Sequence, residues 1–101
     1  MLNIISDLLE IYSKASFHFQ KINNNKIVQD ILLQRQICNL YRSGHFSINT
    51  KIPLLFQFLA LNNQIIKLLN HKPRNLVNDI DQINRRIIEK LKQLDEENSK
   101  K

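Results

Sequence analysis

"IPLLFQFLALNNQIIKLL", residues 52–69, decides the fold. Leu54, Leu55, Phe56, Phe58, Leu59, Leu61, Ile65, Ile66, Leu68 and Leu69 spread apolar side chains over most of a helix's circumference, where a surface helix carries one stripe. Such a helix needs cover on several sides and is expected at the centre of a bundle. Pro53 is expected in its first turn, where the missing N–H is not needed, so the helix should start near "TKIP" and run to about Asn70.

Three further helices follow from the pattern outside this run. Met1, Ile5, Leu8, Tyr12, Ala15, Phe19 and Ile22 recur at steps of four and three, which predicts one stripe on a helix over about 3–22. "NNN" at 23–25 ends it, because asparagine tolerates turn conformations. A second helix over about 26–42 turns Ile27, Ile31, Leu32, Cys38 and Tyr41 inward, with Leu33, Ile37 and Leu40 widening the face. Gly44 is its expected left-handed cap. "NHKPRN" reads as a loop in which Asn75 caps a last helix over about 76–97. That helix carries a narrow stripe of Leu76, Ile80, Ile83, Ile87, Leu91 and Leu94, and "DEENSKK" (95–101) reads as a frayed charged tail. The expected architecture is all-α, a single domain over residues 1–101 built as a small bundle of three to four helices.

Composition narrows the function classes. The chain has 101 residues, 43% of them hydrophobic, with one glycine and two prolines, which suits helices with short connections. One glycine leaves no room for a glycine-rich phosphate loop. His18, His45 and His71 fall on separate segments and Cys38 stands alone, so no zinc pattern is present, no metal or cofactor is expected, and an intrachain disulfide is impossible. Cys38 reads as a small buried hydrophobe. "LVNDIDQINRRIIEKL" (76–91) is similar to the opening helix of helical chorismate mutases, but no room remains for the helices that would follow. The reading is of a protein that is not an enzyme and takes no small-molecule substrate.

The start, "MLNIISDLLEIY", has acids where a secretory signal has bases, and "IPLLFQFLAL" is far shorter than the roughly 20 residues of a membrane span. A cytoplasmic chain without a transmembrane segment is expected.

The net charge of +6 is uneven. Residues 1–13 sum to −2 and residues 75–101 to zero. Residues 14–74 set nine Lys and Arg against Asp30 alone, for +8. This suits nucleic acid, an anionic membrane surface or an acidic partner.

Two sets of residues are candidates for contact. On the first helix Lys14, Phe17 and Lys21 share the face opposite the stripe; Phe17 either offers a ring between two charges or packs on another helix or subunit. On the last helix Arg85 can pair with Asp81 one turn before it. Arg86 has Gln82 and Lys90 at the corresponding positions and no carboxylate, so Arg86 with Lys90 either meets an anionic partner or snorkels along the core edge.

The stretches 52–69 and 81–97 together resemble the primosomal replication protein N″ (PriC) family of bacterial replication restart. Ile52-Pro53, Phe58, Gln64 and Ile65 correspond in the first stretch, and Gln82, Arg85, Arg86, Ile87 and Glu89 in the second. Ile83 stands where the family has an aromatic, and Leu94 where it has a later arginine. The resemblance implies an all-helical accessory protein that binds single-stranded DNA and the tail of single-strand binding protein at stalled forks and helps reload the replicative helicase. It would give the binding role to Arg86 first. The pattern of a long helix pair around 54–69 is also similar to the FliT-like export chaperones, which bind an amphipathic client helix and no DNA.

Overall fold

A computed structural model of the chain describes residues 4–70 and 72–99. Four helices follow one another: α1 (Ile4–Lys21), α2 (Asn25–Arg42), α3 (Ile48–Leu69) and α4 (Arg74–Ser99). Among the described residues there is no strand. Each helix runs antiparallel to the next through a turn of a few residues. α1 packs on α2 and α4, and α3 packs on α4 and more loosely on α2. The bundle measures 47 × 23 × 20 Å, its length set by the 26 residues of α4, about 39 Å of helix.

The turns are built by the residues that the sequence singles out. Asn23 takes the left-handed conformation (φ 59), and two backbone bonds, Asn24 N to Phe19 O and Asn23 N to Gln20 O, close α1 in a Schellman motif. Asn24 then caps α2, its side chain accepting from the Ile27 N–H at 3.4 Å. Gly44 (φ 79) ends α2 in the same way, with His45 N bonded to Leu40 O and Gly44 N to Tyr41 O.

Three boundaries differ from the sequence reading. α3 begins at Ile48, not near Thr50, with Ser47 O accepting from Lys51 N, so Pro53 falls in the second turn and withholds the bond that Asn49 O would receive. Asn75 lies inside α4; its cap is Pro73, whose carbonyl accepts from Val77 N. α4 continues through Asp95–Ser99, where fraying was expected, since Leu94 is buried against the rest of the bundle and carries the helix past it.

The stripes form the core. Ile5, Leu8, Tyr12, Ala15 and Phe19 of α1 meet Ile27, Ile31 and Cys38 of α2, Leu55, Phe58 and Ile65 of α3, and Ile80, Ile83 and Ile87 of α4. Met1 and His71 lie outside the described residues. Ile22 of the α1 stripe, Leu33 and Leu40 of the widened α2 face, and Phe56 and Leu68 of the apolar circumference of α3 are exposed. As a whole helix α3 is long and apolar enough to cross a membrane by length and composition. In the bundle it buries Leu54, Leu55, Phe58, Leu61, Ile65 and Leu69. It is not the central helix expected, since it packs on α4 and only loosely on α2 and leaves Phe56 and Leu68 exposed.

A chain of polar groups crosses this core. Tyr12 Oη donates to Asn62 Oδ1 at 2.7 Å, Asn62 Nδ2 donates to Asn84 Oδ1 at 2.8 Å, and Asn84 Nδ2 reaches Asn63 Oδ1 at 3.2 Å. Asn62 is fully buried, so each of these bonds replaces one that water would otherwise make. They link α1, α3 and α4 at one level and so favour one register of the helices over its neighbours.

Candidate functional site

Of the sequence-derived candidates, Lys14 of α1 and Arg86 of α4 line one cleft, and Phe17, Lys21, Arg85 and Lys90 lie outside it. Asp7, in the first turn of α1, faces Arg86 of α4, and Arg86 Nη1 donates to Asp7 Oδ2 at 2.5 Å. Arg86 therefore has a carboxylate, supplied from another helix and not from its own. Its Nη2 is buried and makes no hydrogen bond to protein. This corrects the expectation that the guanidinium is unneutralised. Arg85 is exposed and makes no ion pair with Asp81, because both project into water where such a pair gains little. Lys90 is half-buried and forms no ion pair among the described residues.

Asp7, Glu10, Lys14, Asp79, Gln82 and Arg86 surround a cleft of about 210 Å³ between α1 and α4. Three carboxylates face two cations there, and Lys14 Nζ is already 3.4 Å from Glu10 Oε1. A polyanion would meet net negative charge at this cleft. Phe17 and Lys21 stand one and two turns further along α1. Phe17 is exposed, not packed within the bundle, and Lys21 Nζ lies 4.3 Å from its ring centroid, a cation–π contact.

A second feature was missed by the sequence reading. Ile52, Phe56 and Leu59 of α3 face Ile88 and Leu91 of α4 across a groove of about 400 Å³, with Lys92 and Asp95 at its edge. Phe56 is 57% exposed and Ile88 46%. Ile88 lies two residues after Arg86, about 200° round α4 from the side that faces α1, so its side chain points away from that helix. The apolar circumference of α3 was the available signal, since a helix apolar all round in a four-helix bundle has one side left over for another helix.

The buried titratable groups have structural surroundings. Cys38 is fully buried, and burial pushes its thiol up to about 12 against the pull of Arg35 and Arg42. Burial raises the Tyr12 phenol well above its ordinary range, and Tyr41 is raised for the same reason. A thiol held protonated is a poor nucleophile and a poor metal ligand. Among the described residues no group of three His, Cys, Asp or Glu is placed to hold a metal ion.

No family model, no curated protein and no solved structure matches this chain.

Proposed function

We propose that this chain is a non-catalytic binding module that holds an amphipathic helix of a client protein, in the manner of the small helical export chaperones. The observation that carries the reading is the α3–α4 groove, with Phe56 and Ile88 standing over it in solvent. Large apolar side chains gathered beside a concave apolar strip favour association over exposure. Ile52, Phe56 and Leu59 cover about two helical turns, the span over which a docked helix presents anchors at i, i+3 or i+4, and i+7. Lys92 and Asp95 at the edge offer one charge of each sign for orienting it.

The replication-restart reading has a narrower basis. The Asp7 carboxylate takes the residue on which it chiefly drew, and the cleft around Arg86 is rich in carboxylates. What favours it is the Phe17 ring beside Lys21, with Lys90 and Arg85 exposed or half-exposed on α4.

Fluorescence anisotropy separates the two readings. A labelled amphipathic peptide helix should bind the wild-type protein, and Phe56→Ser should weaken it about tenfold or more, since truncating a central aromatic anchor removes at least about 1.4 kcal/mol. A labelled single-stranded oligonucleotide should give no saturable shift at low salt. Saturable oligonucleotide binding with no peptide binding would reverse the order of the readings.

A further inference from the structure

Two hairpin turns meet at one end of the bundle. Lys14 of α1 lines the same cleft as Asp79 of α4, and Tyr12 of α1 bonds Asn62 of α3. The end of α1 is therefore level with the end of α3 and the start of α4. The described segments that build this end, 18–29, 64–70 and 72–78, carry Lys21, Lys26, Lys67, Lys72 and Arg74 and not one Asp or Glu, with Asp30 and Asp79 following directly. All five cations are exposed. Ile22 (58% exposed) and Leu68 (43%) stand among them, and Phe17 lies one turn below Lys21. The far end is balanced, with Asp7, Glu10, Glu89, Asp95, Glu96 and Glu97 against Arg42, Lys51, Arg85, Arg86, Lys90 and Lys92. Five of the nine Lys and Arg of the middle section are thus gathered at one pole.

We propose that this pole docks on an anionic phospholipid surface. Its shape and chemistry select that partner over nucleic acid. A strand of nucleic acid is held in a groove that tracks its backbone, on several aromatic platforms. Here the end is made of two protruding turns, and the one exposed phenyl ring among its described residues is already covered by Lys21. Aliphatic side chains interleaved with lysines instead match a headgroup layer, where Ile22 and Leu68 reach toward the acyl boundary while the ammonium groups meet lipid phosphates. The α3–α4 groove stays free in this arrangement, so the proposal does not rest on client binding.

Flotation of the full chain with vesicles tests it. Binding is expected to vesicles of phosphatidylcholine mixed with phosphatidylglycerol, to weaken with added salt, and to be absent with phosphatidylcholine alone. Each neutralised charge lowers partitioning about fivefold, so Lys21→Gln with Lys72→Gln should lower it roughly 25-fold. Leu68→Ser should lower it as well, with an unchanged far-ultraviolet dichroism spectrum showing that the bundle persists. Lys92→Gln, at the far end, should leave it unaltered. Absence of binding to the anionic vesicles overturns the proposal, as does an equal loss in Lys92→Gln, full retention in Leu68→Ser, or tighter binding to a single-stranded oligonucleotide than to vesicles.

Discussion

The Tyr12 hydroxyl on α1 donates to the Asn62 side chain on α3, 50 residues away and diagonally across the core. Asn62 passes the interaction to Asn84, so a change at any of the three strands a buried partner. Tyr12→Phe should lower stability by about 1–3 kcal/mol, the penalty of leaving one buried polar group unpaired. Asn62→Leu orphans both Tyr12 and Asn84 and should do more damage. The double change Tyr12→Phe with Asn62→Leu should fall short of the sum of the two. Urea midpoints for the four proteins give the comparison; strict additivity would mean that the bonds do not act as a chain.

Stability should fall on the alkaline side. The Cys38 thiol ionises near 9 in the unfolded chain and is pushed up to about 12 in the fold. Between those values the unfolded state holds fewer protons, so the contribution is complete below pH 9 and is lost as pH rises toward 12. The slope is about 1.4 kcal/mol per pH unit for a fully titrating group. Tyr12 and Tyr41, also raised, add to the loss above about 10. Cys38→Ala should move the onset upward toward the tyrosine range. Denaturant midpoints from about pH 8 to about pH 11 are the measurement, and a flat profile in the wild type contradicts the burial argument.

The Asp7–Arg86 pair joins α1 to α4 at a half-exposed position. A double-mutant cycle with Asp7→Ala and Arg86→Ala should return a coupling of about 0.2–1 kcal/mol that shrinks with salt. Arg86→Ala should leave oligonucleotide anisotropy as it was, because the guanidinium is already neutralised. A clear loss on Arg86→Ala, with a gain on Asp7→Asn, would restore the α4 arginine as a nucleic-acid contact.

Gly44 holds φ at 79, where an added Cβ meets nothing within 4 Å. Gly44→Ala should therefore lose only the conformational term, about 1–2 kcal/mol. For a domain of this size, that lowers the thermal midpoint by about 4–8 °C per kcal/mol. A thermal melt without any shift would show that the turn relaxes when glycine is replaced.

Much of the fold was legible because its signals are local. Asn23, Asn24 and Gly44 close and open helices through bonds to residues within a turn or so, and the sequence displays those residues side by side. Pro53 and Asn75 misled for the complementary reason. Each suits a helix start, but α3 and α4 begin where packing and backbone bonding allow, a turn earlier for Pro53 and at Arg74 for Asn75. Of the candidate contacts, Phe17 and Lys21 lie together as the spacing implies. Arg86 does not stand free, because its carboxylate is 79 residues away.

The sequence alone determined that the chain is helical, where its turns fall and which stripes are apolar, since periodicity and capping act over a few residues. Only the tertiary structure decided which apolar side chains stay in water and which charges are neutralised. Phe56, Ile22 and Leu68 carry the pattern of core residues but lack a helix over them, and Arg86 carries the pattern of a free cation but faces Asp7. Cover and charge pairing depend on which helix lies alongside, at what register and for how much of its length, and these are properties of the assembled bundle.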